Sequence, residues 1–571
     1  MFKFASKARP LLIPARRIRN YSQQHPRPTE RHEDEVVGVE PAVSRYAIGA
    51  SVFLLGGLSY YIYSEFGPAL SPHLPWGGSE PAEPTKAERE ARETARRQRQ
   101  VRAQMAPKSD LTAEEQLKWA WTHPGLYAIG SNEFGLADPQ HPGIFPGLKC
   151  AVPGLEGRLI RSAAFARTHA AAIDSSGSLF QWGTGFAGDA PHAPRCTLRD
   201  ASICEVAATD DFVVARDRKS RIRVLRGRSA ADTEIDASGA ALSFEPRLGW
   251  RESVVSMSAG RSHVAVITDH GHVYTAALDA SGNARGQLGH GSDAIVPTLT
   301  LRRIESEHRF ASAACGAEHT LLLTDTGDVL GCGANDFGQL ATGAYHPGTT
   351  TVPELAPLAR LWRSGAVRPR DARVVDIAAG AATSYAQISQ GGALQLLAWG
   401  RGIDGQLGNG TLTHIQGTPT LVPALSGRQE FDHESQARRP LGVRALVAGA
   451  NHALAVCDNR SNVVLDTSGA AVDASPLFGH DVFVWGSNAA GQCAPGRRHR
   501  FATPEPAPLL YTPSGLPAAG SELRLQAAPP QWISTARLRG ADPGSLPKTV
   551  LVEQAFVAGP DITAAFLRPC K

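Results

Sequence analysis

The chain is poor in sulphur and in aromatic rings, with 8 cysteines, 3 methionines and 7% aromatic residues among 571. The cysteines are scattered (150, 196, 204, 315, 332, 457, 493 and 570) and make no Cys-x-x-Cys pair. Neither a disulfide scaffold, a structural zinc site nor a redox dithiol is expected from them. Gly-x-Ser-x-Gly, His-Glu-x-x-His and the Gly-Lys-Ser/Thr phosphate loop are also missing, which removes the common signatures of hydrolases, zinc proteases and P-loop nucleotidases. No catalytic, cofactor-binding or metal-binding residue is assigned, no cofactor is expected, and the chain reads as a non-enzyme. Acid is lacking at the start: Lys3, Lys7, Arg9, Arg16, Arg17 and Arg19 all precede the first carboxylate, Glu30. The formal net charge of +4 owes its sign to that stretch, and without it the chain is acidic. Protein partners are therefore expected ahead of nucleic acid.

What is present begins with an address. Residues 1–21, Arg-rich with Phe2, Phe4, Leu11, Leu12 and Ile13 interleaved, have the composition of a mitochondrial presequence ending at Tyr21. Pro10 and Pro14 interrupt the apolar core that a secretory signal would need. Residues 22–45 read as a disordered segment. Tyr46 to Ser64 then run for 19 residues without a charge, with Tyr46 at one end and Tyr60, Tyr61 and Tyr63 at the other. Such a run just spans a hydrocarbon core of about 30 Å, with aromatic rings at the interfaces. Arg27, Arg31 and Arg45 precede it and the next basic residue is Lys86, so the positive-inside rule leans towards placing the large C-terminal domain in the intermembrane space. The matrix side stays open. Residues 65–123 read as a Pro/Gly-rich linker followed by a polar helix from Thr85 to Met105, where seven basic residues face three acids. That helix either meets anionic lipid or RNA, or is simply a solvated spacer.

From residue 124 onward the sequence repeats. One unit is an apolar strand, a small-residue turn, a His, a second strand, a third strand ending in Trp-Gly, and a Gly-rich tail. It occurs as VVSMSAGRSHVAVITDHGHVY…GQLGHG (254–291), and again at 311–343, 374–410 and 443–496, with weaker copies at 163–188 and 203–217. The turn glycines Gly260, Gly316, Gly380 and Gly449 lie 56, 64 and 69 residues apart. The domain begins with a second half-unit (126–138) and ends with a first half-unit (555–567), so the two termini together supply one more copy. A ring closed in this way has no open sheet edges. The expected fold is all-β, a seven-bladed β-propeller over 124–571 closed by pairing of N- and C-terminal strands, with loop insertions at 458–480 and 497–550. Those insertions either carry partner contacts or are tolerated length.

The Ala-Gly-x-x-His and Trp-Gly…Gly-Gln-Leu-Gly signatures resemble those of the regulator of chromosome condensation repeat family, seven-bladed propellers, over roughly 124–567. Phe212, Thr383 and Ile562 stand where that pattern has His. With the presequence and the span, the chain looks like fungal mitochondrial inner-membrane members of the family. The resemblance implies a single-pass inner-membrane scaffold in assembly of respiratory complex III (ubiquinol–cytochrome c reductase), binding its subunits or assembly factors. Exchange activity on a small GTPase, or association with the mitochondrial ribosome, are the other functions it leaves open. Two features mimic chemistry. The Gly-x-Gly-x-x-Gly strings at 183–188 and 400–405 follow a repeat's Trp-Gly in an all-β setting and are expected to be turns. His169, His263, His319 and His452 share one position in successive units, and are expected to hydrogen-bond across a strand turn rather than to ligate metal together.

Overall fold

The short apolar strands and Gly turns of each unit fold into antiparallel hairpins, and seven such sheets form in the computed structural model. The structure describes residues 113–570 apart from several internal stretches, the longest being 228–238, 362–371, 509–523 and 539–546. All of them belong to the second of two compact units, Ala106–Lys571. The presequence, the apolar run 46–64 and the polar helix 85–105 lie outside the described residues. Among the described residues, no helix is long and apolar enough to cross a membrane.

Blade 1 is built from Ile160–Phe165, Ala170–Asp174, Leu179–Trp182 and Arg195–Leu198, and blade 2 from Ile203–Ala208, Phe212–Asp217, Ile222–Arg226 and Ala240–Ala241. Blade 3 comprises Val254–Ala259, His263–Thr268, Val273–Ala277 and Thr300–Arg303, with Ser243–Glu245 added parallel to the last. Blade 4 uses Phe310–Cys315, His319–Thr324, Val329–Ala334 and Thr351–Pro357. In blade 5 the strands are Ala372–Ala379, Thr383–Gln390, Ala393–Gly400 and Gln416–Leu421. Blade 6 has Val443–Ala448, His452–Cys457, His480–Gly486 and Phe501–Pro506. Blade 7 is composite: Thr549–Ala558 and Ile562–Pro569 from the C-terminus pair with Leu126–Asn132 and Gly143–Phe145 from the start of the domain. The closure is a five-residue register, Leu126 opposite Phe566 through Gly130 opposite Ile562.

In every blade the second strand is more buried than the first, and in His263–Thr268, His319–Thr324 and His452–Cys457 all six residues are buried. The first strands are only partly buried, as in Val254–Ala259 and Phe310–Cys315. Adjacent blades meet through apolar faces; one such seam joins Phe212, Val214 and Val224 to Val264, Val266 and Tyr274. Turns between first and second strands share one face, called upper here, with the loops between third and fourth strands. The remaining connections lie on the lower face.

The Trp-Gly signature has a steric cause. Gly130, Gly183, Gly333, Gly400 and Gly486 occupy one position and have φ between +99° and +119°. A Cβ there would strike the backbone that opens the second strand of the same blade; at Gly130 it meets the carbonyl of Asp561 and Ile562 Cα. Gly130→Ala is expected to weaken the closure by about 1–3 kcal/mol, read as a lower urea midpoint with earlier proteolysis near the termini.

Two expectations about the segments outside the repeat change. Within 497–550, Phe501–Pro506 is the fourth strand of blade 6, Gln526–Ala527 pairs with its third strand, and Gln531–Ser534 extends blade 7. Parts of that stretch are therefore sheet, because the outer strands of this propeller carry polar, Pro-containing sequence that masks their periodicity. A helix, Ala113–Thr122, precedes the first strand, where the sequence pattern reads only as linker. It buries Gln116, Leu117 and Ala120, and Gln116 Nε2 donates to the Arg524 carbonyl at 3.1 Å.

Candidate interaction surface

The repeated histidines do not act within their own turns as expected; each imidazole reaches the next blade. His263 Nε2 lies 3.0 Å from Thr320 Oγ1, His319 Nε2 3.1 Å from Ser384 Oγ, and His452 Nε2 2.9 Å from Thr563 Oγ1. His169 Nε2 lies 3.4 Å from the Phe212 carbonyl. The Thr320 and Ser384 hydroxyls donate onward to the carbonyls of Gln287 and Gln339 at 2.8 and 2.7 Å. They must therefore accept from imidazole, which makes Nε2 the protonated nitrogen. Nδ1 of His263, His319 and His452 has no hydrogen-bond partner. Burial alone pushes His319 and His452 down to about 4; burial, then repulsion from His319, takes His263 to about 3. All three are neutral at physiological pH. Gly260, Gly316 and Gly449 cover these rings so closely that a Cβ would enter them.

A second latch runs the other way round the ring. Trp182, Trp399 and Trp485 are wholly buried, and each indole N–H donates to the tail of the preceding blade: Leu136, Gln339 and Gln406 carbonyls at 2.9, 2.8 and 2.8 Å. At Trp399 and Trp485 the buried ring between blades thus also makes a specific hydrogen bond. The tail supplies its own rigidity. Gln287, Gln339, Gln406 and Gln492 accept through Oε1 from the backbone two residues earlier, at 2.9 Å in each case. Asn132, Asn283, Asn335 and Asn488 accept through Oδ1 from the backbone five residues later. The repeat pattern read from the sequence leaves these asparagines out, although their recurrence three residues before the tail glycine is a signal that could have found them.

The rigid tails and turns make up the upper face. Five successive turns, of blades 2 to 6, are joined by four backbone bonds, Asp210 N–H to the Arg261 carbonyl, Arg261 to Ala317, Ala317 to Ala381 and Ala381 to Ala450, at 2.9–3.1 Å. Blade 7 has Pro560 at this position, which offers no N–H. Above blades 2–4 runs an alternating chain of charge. Arg261 bonds Asp210 at 3.2 Å and Glu318 at 2.8 Å, and Arg285 lies 3.9 Å from Glu318 and 2.7 Å from Asp336. Burial raises the carboxyl of Asp210 against the opposing pull of Arg261. Arg261 and Asp210 remain more than half exposed, so this chain is available to a partner.

Neither glycine string lies at the start of a long helix. Gly183 and Gly400 are the positive-φ bends of the Trp-Gly signature; Thr184–Ala187 is a single helical turn, and 401–415 is a loop leading to a strand. Among the described residues, no group of three or more His, Cys, Asp or Glu is placed to hold a metal ion.

Comparison with known proteins agrees with this geometry. Sequence profiles of the regulator of chromosome condensation (RCC1) repeat match residues 310–339, and 282–323 with 395–456. The chain is 30% identical over 242 residues to the secretion-regulating guanine nucleotide exchange factor of Bos taurus, covering 42% of this chain and 41% of that protein. It is 28% identical over 324 residues to the mitochondrial RCC1 domain-containing protein RUG3 of Arabidopsis thaliana, covering 53% and 66%. It thus spans less than two thirds of these curated relatives. Among solved structures, human WBSCR16 superposes over 78% of this chain and 99% of its own (TM-score 0.50, 17% identity). Prp20p from Saccharomyces cerevisiae does so over 81% and 96% (TM-score 0.51, 14% identity). The described residues form an all-β, seven-bladed propeller, and residues 282–339 and 395–456 within it match the RCC1 repeat.

Proposed function

We propose that this chain is a mitochondrial scaffold without catalytic activity of its own, held at the inner membrane by residues 46–64, whose propeller binds proteins during assembly of respiratory complex III. The observation that carries the protein-binding part is the exposed Asp210–Arg261–Glu318–Arg285–Asp336 chain, mounted on latched blades. A rigid platform keeps the ordering cost of association low, and alternating charge selects its partner. Anchoring adds effective concentration near membrane clients. The presequence composition supports the compartment, as does a relative named as mitochondrial. Complex III is suggested by the resemblance to fungal mitochondrial members of the repeat family.

The test is affinity capture from digitonin-solubilised mitochondria, with each respiratory complex measured after deletion of the protein. Complex III subunits are expected among the captured proteins, and Arg261→Glu with Arg285→Glu is expected to reduce their recovery roughly tenfold. Normal complex III in the deletion strain, with no subunit captured, overturns the reading. Protease sensitivity of the propeller in mitoplasts is expected for the intermembrane-space orientation; protection would favour a matrix role at the ribosome. The name of the bovine relative supports a second reading, exchange activity on a small GTPase. Accelerated nucleotide release on adding the protein to mitochondrial GTPases would establish it.

A further inference from the structure

We propose that the lower face of the propeller docks on a bilayer containing anionic phospholipid, through Trp250, Trp532 and the basic residues around Trp250. The inference extends the tethering read from the sequence by naming the face turned to the membrane and the chemistry that holds it there.

The strongest observation is a built presentation of an aromatic ring to solvent. Trp250 is 84% exposed, and the Arg251 guanidinium sits 4.2 Å over its ring. The loop carrying them is fixed from beneath. Glu252, whose side chain is 4% exposed, accepts from the Gly249 N–H at 2.8 Å, the Thr268 hydroxyl at 2.7 Å and His272 Nδ1 at 2.7 Å. Leu248 packs inward against the seam between blades 2 and 3 while Trp250 points away from it. Exposed Trp next to Arg is the composition of a membrane–water interface anchor, where the ring sits at headgroup depth and the cation meets phosphate.

Positive charge gathers at the same place. The lower turn of blade 2 carries exposed Arg218 and Lys219. That turn is joined to the start of blade 3: Val254 N–H donates to Ser220 Oγ at 2.9 Å, and Arg216 Nη1 to the Val254 carbonyl at 3.0 Å. Arg247 and Arg251, exposed, complete the group. The neighbouring acids are engaged: Asp217 with Arg221 at 2.6 Å, Asp269 with Ser253 at 2.8 Å, and Glu252 with its three donors. Glu245 stands exposed at the edge; against these four acids stand Arg218, Lys219, Arg221, Arg247 and Arg251, which leaves a small cationic excess carried by exposed side chains. Such a cluster is drawn to an anionic leaflet within a Debye length.

Two further placements point to the same face. Trp532, 63% exposed, lies on Gln531–Ser534, which pairs with residues 549–552. Those four precede the six residues of Thr549–Ala558 that align with the other inner strands, so Trp532 projects below the ring. The helix Ala113–Thr122 is on this face as well. Trp121 Nε1 donates to the Pro529 carbonyl at 3.3 Å, and Leu117 lies against Gly479, just ahead of the lower end of His480–Gly486. The helix Ala113–Thr122 thus lies against the lower face. Projecting loops suit a planar bilayer better than single-stranded nucleic acid, which is held in aromatic-lined grooves.

The test uses the full-length protein in nanodiscs of phosphatidylcholine alone or mixed with cardiolipin, read by hydrogen exchange of the peptide covering 246–253. Exchange is expected to slow roughly tenfold in the anionic discs only, and Trp250→Ser with Arg251→Ser is expected to remove the difference without changing thermal stability. Equal exchange in both discs overturns the proposal, as does protection by RNA or by polyglutamate in detergent where cardiolipin gives none. Alkaline extraction of the same discs reads the tether separately. If the protein is released, the tether reading fails while cardiolipin-dependent protection still upholds this face.

Discussion

Between about pH 6.5 and about pH 4 the propeller is expected to lose stability steeply, because unfolding takes up protons that the folded ring refuses. His263, His319 and His452 are buried and bond the next blade through Nε2, His263 and His319 as donors, while Nδ1 of all three has no hydrogen-bond partner. Burial holds His319 and His452 near 4 and, with repulsion from His319, His263 near 3, against 6.5 in an unfolded chain. Above pH 6.5 both states are neutral at these sites and their contribution is complete. As pH falls, only the unfolded chain binds the protons, and the contribution drains away until the folded values are reached. Three protons give a slope on the order of 4 kcal/mol per pH unit near pH 5. His290, brought to about 4 by burial and then Arg302, adds in the same sense. Glu252, whose hydrogen bonds outweigh its burial and hold it at about 2, loses its contribution only as pH falls from 4.5 to about 2. Asp210, Asp481 and Asp561, raised by burial, work in the opposite direction. Urea unfolding from about pH 7 to about pH 5, with proton uptake measured by buffer ionisation, reads the slope. His319→Phe, the residue type that blade 2 uses at Phe212, is expected to lower proton uptake by about one. An unchanged uptake would mean that this imidazole is not a neutral latch.

The second large effect concerns Trp485. Its ring is wholly buried at the seam between blades 5 and 6, edge-on to Tyr385 at 6.2 Å, and its N–H holds the Gln406 carbonyl at 2.8 Å. Tyr385 OH donates to the same carbonyl at 2.6 Å, so one tail residue is gripped from two blades. Trp485→Ala removes a large core side chain and one of two donors, and is expected to cost about 3–5 kcal/mol. Trp485→Phe keeps most of the packing and loses the hydrogen bond, for an expected cost of about 1–2 kcal/mol. Urea midpoints of the two variants separate packing from latch. Equal losses would show that the packing adds nothing beyond the hydrogen bond, a negligible loss for Phe would show that the hydrogen bond carries no weight, and a negligible loss for Ala would remove the seam from the stability account.

The blade count is legible in the sequence because the repeat places a His or its substitute, a turn residue and a Trp-Gly at fixed positions within each unit. Even where Phe212, Thr383 and Ile562 replace His, the turn and the second strand persist. The outer strands are harder to read. Phe501–Pro506 and Gln531–Ser534 are half exposed, so they show no alternation that separates strand from loop. The helix Ala113–Thr122 leaves little local signal because its apolar residues meet 524–529, more than 400 positions away.

By itself, the sequence determined that the chain closes a ring of seven sheets from its two ends, since half-units at both termini have one way to complete a blade. It also determined which positions require glycine, because a tight bend with positive φ is a local steric demand. The direction of the histidine and tryptophan latches, the charge chain over blades 2–4 and the gathering of Trp250, Trp532, Arg218, Lys219, Arg247 and Arg251 on one face were decided by tertiary structure alone. Each depends on which side chains the closure of the ring brings together, and residues on neighbouring blades are separated by tens of positions in the chain.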